Sequence, residues 1–290
     1  MMPSKNRTFM GISSEKMRRL SGVGMVLALL LPVAIAGEAA SDESFVGGEP
    51  VWNLVQAAEA VGGELLEIDR ALLGASLALS ETGIVGAEAR RVLEELGGVG
   101  PWVVDCITID LNGTILEVAP EEYRYVVGER IDDQEHIQEL LATRRPAGLA
   151  YIISVEGIPA MDFASPVFDE NGRLMGAVTV LVNATELFGE ALAPHQPEGH
   201  AKIWAMLPDG TIVYDVDGEQ IGRNTFIDPL FAEFTQLLAV ARKVEVERSG
   251  TGKYEISGTA REVLWTTVDH QGREVRLLLS LDVDEARGDG

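Results

Sequence analysis

The sequence holds one cysteine, Cys106, and four histidines in 290 residues. A lone cysteine excludes an intramolecular disulfide. It sits in Trp102-Val-Val-Asp-Cys-Ile-Thr-Ile109, a run that reads as a strand, so it is expected to be a small buried hydrophobe; no nearby histidine could activate its thiol. The histidines are His136, His195, His200 and His270. Only His195 and His200 approach one another, beside Glu198, in a proline- and glycine-containing stretch that reads as a solvated loop and not as a metal site. Asp215-Val-Asp-Gly218 lacks the third acidic ligand and the terminal glutamate of a calcium loop, and reads as a strand-ending turn. No nucleophile elbow, phosphate-binding glycine loop, kinase signature or zinc spacing occurs. No catalytic residue, metal or cofactor is therefore expected, and the chain reads as a non-enzyme. Basic residues are also scarce, 23 against 46 acids, for a net charge of −23. Five of the basic residues and only one acid lie in Met1–Ala36, leaving 18 against 45 in the rest. So acidic a body repels phosphate backbones, which excludes nucleic acid as a partner.

Long apolar runs are confined to the start. Lys16, Arg18 and Arg19 precede the run Val23–Ala36, which closes on the small-x-small triplet Ala34-Ile35-Ala36, the layout of a secretory signal cleaved after Ala36. The alternative is an uncleaved signal anchor, because Leu20–Ala36 approaches the roughly 17–25 residues that span a bilayer. Either reading puts Gly37 onward outside the cytoplasm, secreted or tethered to the cell membrane, since the positive flank stays inside. No second hydrophobic span follows, so no kinase, methyl-accepting or cyclase output is expected from this chain.

What is present is a repeated pattern. After a small, acidic, glycine-containing stretch, residues Val51–Leu96 read as helical, with Leu65, Ile68, Leu72, Ala75 and Leu79 on one stripe and breaks expected at Gly62-Gly63 and Gly83–Gly86. Short β-rich runs then alternate with Asp/Asn-Gly turns. Trp102–Ile109 and Thr114–Val118 flank Asp110-Leu-Asn-Gly113; a helix is expected over Gln134–Thr143; and strands over Leu149–Val155, Ile158–Phe168 and Arg173–Val182 follow. The same order returns from Ala201: Lys202–Leu207, Thr211–Asp215, a helix capped by Asp228 with Pro229 at its first position, then Gly252–Ser257, Glu262–Asp269 and Arg273–Leu281. Leu230, Phe231, Phe234, Leu237 and Leu238 are expected to form the apolar face of that helix. Two copies of one small fold are implied. The expected organisation is a signal or anchor over 1–36, a linker over 37–50, a helical segment over 51–98, a first module over 99–183, a connector over 184–200, a second module over 201–283 and a tail over 284–290.

In this order and spacing the residues resemble the double Cache sensor domains, a PAS-like extracytoplasmic family. The matching segments in the first module are Ile109-Asp-Leu-Asn-Gly-Thr-Ile115, Val127-Gly128, Ala164-Ser-Pro-Val-Phe-Asp-Glu-Asn-Gly172 and Gly176-Ala-Val-Thr-Val180. In the second they are Pro208-Asp-Gly-Thr-Ile-Val-Tyr-Asp215, Ile221-Gly222, Phe226–Phe234 and Gly250-Thr-Gly-Lys-Tyr254. The resemblance implies an α+β fold, with a long N-terminal helix followed by two tandem PAS-like modules, each an antiparallel sheet with flanking helices. It also implies a small-molecule pocket in the membrane-distal module, residues about 100–182. Amino-acid-sensing relatives carry an Arg-x-Trp element that grips the ligand carboxylate. Gln134 and His136 stand at those positions here, so that element is absent.

The candidate ligand-binding residues are Tyr123, Gln134, His136, Tyr151 and Asp162, polar or amphipathic side chains in the helical insertion or the central strands. A tyrosine can bury its ring while offering its hydroxyl, and an aspartate in an apolar strand must find a partner. The expected function is recognition of a small organic molecule, with a membrane signalling or transport protein as the partner that receives it. A ligand-free structural or cell-surface interaction module is the competing reading, and a homodimer stays open.

Overall fold

A computed structural model describes residues 48–154, 159–199, 201–256 and 258–283; the expected signal segment, most of the linker, His200 and the tail lie outside the described residues. Helix α1 (Gly48–Thr82) runs 35 residues, about 52 Å at 1.5 Å per residue. Its buried stripe of Leu54, Ala57, Val61, Leu65, Ile68, Leu72, Ala75 and Leu79 recurs every three or four residues, so one face stays against the body throughout. The helix does not break at Gly62-Gly63, contrary to expectation. A mid-helix glycine costs about 1 kcal/mol relative to alanine, and burial of this stripe outweighs it. At Gly62 an added Cβ would stand 3.9 Å from Val268, so the helix crosses the second module there. The break at Gly83 does occur: with φ +86°, its N–H donates to the Leu79 carbonyl at 2.9 Å, a left-handed helix stop. Helix α2 (Ala87–Leu96) follows. Its start is tied to the first sheet by the buried carboxylate of Glu117, which accepts from the Gly86 N–H at 2.8 Å and from Arg90 at 3.0 Å.

The first module comprises β1 (Val103–Ile109), β2 (Ile115–Ala119), helix α3 (Glu135–Thr143), β3 (Ala147–Ile153), β4 (Pro159–Phe168) and β5 (Leu174–Val182). The second comprises β6 (Lys202–Met206), β7 (Ile212–Tyr214), helix α5 (Thr235–Val246), β8 (Gly250–Ile256), β9 (Thr259–His270) and β10 (Arg273–Asp282). The sheets have one topology, β2-β1-β5-β4-β3 and β7-β6-β10-β9-β8, five strands each. Every neighbouring pair is antiparallel. Each first hairpin is followed by helical insertion and three more strands, as the repeat in the sequence requires. The turns carry their own chemistry: Asp110 accepts from the N–H groups of Asn112 and Thr114 at 2.8 and 2.9 Å, and Asp169 from those of Asn171 and Arg173, both at 2.8 Å, which is how a short carboxylate closes a turn. Between β9 and β10 the two central residues, Gln271 and Gly272, have φ +51° and +82°, as a two-residue hairpin of this twist demands.

One expectation needs correction. Asp228 does cap a helical turn, accepting from the Leu230 N–H at 2.9 Å, but that turn is a 3-10 piece, Pro229–Phe231; α5 starts only at Thr235 and buries Val240, Ala241 and Val244. Leu230 is half-exposed. The stretch between the modules is helical at its start. Helix α4 (Ala184–Leu192) buries Ala184, Leu187, Phe188, Ala191 and Leu192 and contacts α1 and β7, and Asn183 caps it by accepting from the Thr185 and Glu186 N–H groups. Cys106 is fully buried, and that burial, reinforced by the nearby charges of Asp105 and Asp162, pushes its thiol well above the ordinary value. It is inert packing, as read from the strand.

Candidate functional site

Alternation along the strands gives the first sheet two faces. One lies on α1, where Ser76 donates to the Pro166 carbonyl at 2.7 Å. The other faces α3 and holds an apolar cluster that includes Ile107, Ile115, Ile131, Ile137 and Leu140. Within this second layer the register sets polar side chains side by side: Leu181 of β5 pairs with Asp105 of β1 on one side and with Asp162 of β4 on the other, while Thr179 pairs with Ile107. Asp105, Thr179 and Asp162 are 3%, 1% and 3% exposed. A polar atom so deeply placed must be hydrogen-bonded or carry a desolvation cost.

Asp162 is matched from the helix. His136, at the second position of α3 and 1% exposed, brings Nε2 to 2.7 Å from Asp162 Oδ2. Asp162 Oδ1 is buried and accepts no hydrogen bond, and neither does the buried Oε1 of Gln134, one residue ahead of α3. Both residues line a cavity of about 20 Å³ together with Asp105, Ser154, Thr179 and Ile152. That is room for one or two water-sized groups, each needing about 10–15 Å³.

Of the candidates read from the sequence, Gln134 and Asp162 line this cavity and His136 holds Asp162 from behind. Tyr151 and Tyr123 lie elsewhere. Tyr151 is on the opposite face of β3 from Ile152, with its hydroxyl 3.1 Å from the place of a Cβ on Gly222 of the second module, and burial pushes its phenol up. Tyr123 belongs to the 3-10 turn Glu121–Val126, packs on the edge of the apolar cluster, and lines a separate open groove of about 610 Å³ with Trp102, Pro120 and Glu186. That groove is much the larger hollow, but none of its lining side chains carries a buried polar atom lacking a hydrogen bond, so nothing in it calls for a specific ligand. Asp105, Ser154 and Thr179 are the residues the sequence reading missed. In the second module the equivalent space is filled by apolar side chains, Trp204, Met206, Val240 and Leu278 among them, leaving about 10 Å³. Among the described residues no group of three or more histidine, cysteine or acidic side chains could hold a metal, and no helix is long and apolar enough to cross a membrane.

Two PAS-like sheets share one long helix, with a polar cavity under the insertion helix of the first. Residues 63–184 match the family model of the HK/GC/chemotaxis protein-like sensor domain, and the fold is the one seen in Cache-type sensor domains. The chain is similar to an extracellular ligand binding receptor from Desulfohalobium retbaense, with 33% identity and a TM-score of 0.69 over 79% of this chain; the match spans 39% of that receptor's length. It shares its fold with the ligand-binding domain of the Pseudomonas aeruginosa amino acid chemoreceptor PctB in complex with L-Arg, at 15% identity, TM-score 0.62, and 82% and 95% of the two chains. The same holds for the periplasmic sensory domain of the Campylobacter jejuni chemoreceptor Tlp1, at 14% identity, TM-score 0.59, and 84% and 98% of the two chains. No curated protein matches the chain.

Proposed function

We propose that this chain is an extracytoplasmic sensor-like binding protein that recognises a small organic solute in the first module, between its sheet and α3, without catalysis, and passes the bound state to a membrane signalling or transport partner. One observation carries the reading: Asp162 Oδ1 and Gln134 Oε1 are buried acceptors without donors, in two residues that line one cavity. Leaving such atoms unmatched costs about 1–3 kcal/mol each, and a solute that supplies donors recovers it. The extracytoplasmic placement rests on the charge and apolar pattern of Met1–Ala36 and on the fold shared with extracellular and periplasmic sensor domains. The test is native mass spectrometry of the full chain purified without refolding, followed by thermal-shift screening of organic acids, amines and amino acids. A retained or stabilising solute supports the reading, because a ligand that binds the native state raises the melting temperature; an empty, unresponsive protein refutes it.

The small volume of the cavity, about 20 Å³, favours a second reading, an interaction module that takes no ligand. The exposed apolar side chains Leu66, Leu73 and Leu77 on α1 supply a surface for it. A concentration-dependent self-association insensitive to every solute in the screen distinguishes this reading from the first.

A further inference from the structure

Resting on the reading that this cavity binds a ligand, we infer that its ligand is a cation, the ammonium group of ammonium itself or of a short primary amine. Among the described residues no lysine or arginine lines the cavity, and its ionisable lining residues are Asp105 and Asp162. Carboxylates only accept hydrogen bonds. One oxygen of Asp162 is engaged by His136 at 2.7 Å, and the other, in a cavity-lining side chain only 3% exposed, has no donor. Gln134 adds an unpartnered amide oxygen, and Ser154 and Thr179 place hydroxyls on the same lining. An ammonium group has three N–H donors and no acceptor. Asp162 Oδ1, Gln134 Oε1 and one hydroxyl match that number, and the contact to Asp162 is charge-assisted, hence about twice as strong as a neutral one.

An anionic solute meets the opposite situation. Its charge would stand beside Asp162 with no cation on the cavity wall to balance it, and two like charges at close range in a partly desolvated site repel strongly. Size points the same way. About 20 Å³ seats one ammonium head with at most a methyl group beside it; the walls contributed by Ile107, Ile131 and Ile152 suit that methyl.

The test uses the full chain at constant ionic strength, with sodium chloride as the reference salt. Ammonium, methylammonium and ethylammonium chlorides are titrated by calorimetry and thermal shift beside sodium formate, sodium acetate and neutral urea-free polyols such as glycerol. The expected result is saturable binding of ammonium or methylammonium, with ethylammonium weaker because it overfills the cavity. Asp162→Asn is expected to weaken methylammonium about 10–100-fold, the range for a lost charge-assisted bond. Gln134→Leu, at a half-buried position just ahead of α3, weakens it by a smaller factor. Binding of formate, acetate or a polyol in place of the amines overturns the cation assignment while leaving a ligand site standing. Amine binding that neither variant alters places the amine elsewhere and overturns it too. Silence toward every compound overturns the cation assignment, while the wider screen of acids, amines and amino acids decides separately whether the cavity binds a ligand at all.

Discussion

Replacing His136 with leucine tests the buried pair on which the site is built. The imidazole and the Asp162 carboxylate are 1% and 4% exposed as side chains and 2.7 Å apart. His136→Leu leaves Asp162 with neither oxygen matched, which for a buried pair costs about 3–5 kcal/mol. In a body of this size, where 1 kcal/mol moves the melting temperature about 2–4 °C, that is a fall of about 6–20 °C. Asp162→Leu alone strands a buried imidazole and costs about 1–3 kcal/mol. The double variant, with apolar groups in both places, buries nothing unmatched and should cost well under the sum, because paired replacement of buried polar partners is often close to neutral. The assay is urea unfolding of the three variants without ligand, read as a double-mutant cycle. A His136→Leu cost below about 1 kcal/mol, or additivity within about 0.5 kcal/mol, would refute the claim that the two side chains are an isolated buried pair.

Other outcomes follow from the same coordinates. Gly176→Ala puts a Cβ 2.0 Å from the Ile109 carbonyl oxygen, so β1 and β5 must separate; a stability loss of about 1–3 kcal/mol is expected, and an unchanged urea midpoint refutes it. Arg276, 2% exposed, donates to the Val244 carbonyl at 2.9 Å and to that of Glu245 at 3.4 Å, closing the C-terminus of α5; Arg276→Met should cost about 1.5–3 kcal/mol, with α5 exchanging its amide protons faster than α3. Burial holds the His270 imidazole below its ordinary 6.5, against the opposing pull of Asp69. The unfolded chain therefore binds a proton first as pH falls past that value, and stability declines as pH falls through it. Asp69, raised from 3.8 chiefly by its own burial, acts with the opposite sign at lower pH. His270→Gln should flatten the decline, and an unaltered pH slope refutes the assignment.

The strands and turns were legible because their signals are local. Asp110-Leu-Asn-Gly113 and Asp169-Glu-Asn-Gly172 declare tight turns by their own side-chain chemistry, and the apolar runs between them can only be strands at that spacing. The continuity of α1 was not legible, because Gly62-Gly63 is a local break signal overruled by contacts with residues such as Val268, about 200 positions away. The site was half legible for a related reason. An aspartate in an apolar strand singled out Asp162, and the same rule applied to Val103-Val-Asp-Cys-Ile107 finds Asp105. Tyr151 was drawn in by its chemistry, but which face it takes depends on register: Ala150 pairs with Asp162 and Tyr151 with Met161, so Tyr151 points away. Register across a connection is set by tertiary structure.

The pair that frames the cavity is also mechanically joined to the second module, and magnitudes decide through what. Three residues after His136 on α3, Glu139 meets Arg273 at the start of β10 at 2.9 Å. Both side chains are largely solvated, 53% and 32% exposed, so this bridge is worth at most about 1 kcal/mol. The buried contact beside it is stiffer. His270, at the end of β9, sets its ring edge-on to Phe163 of β4 at 5.3 Å and 78°, and a Cβ on Gly148 of β3 would lie 2.8 Å from both rings. Phe163 is the immediate neighbour of Asp162, and the turn that follows His270 reaches α1 through the Gln271 amide and Asp69. On the proposed reading, a shift of Asp162 toward a ligand would move β4 against the tip of the β9–β10 hairpin. Close-packed contacts transmit such a displacement where a solvated ion pair yields to it. The hairpin tip, rather than the surface bridge, is therefore the element through which occupancy of the first module is expected to reach the second.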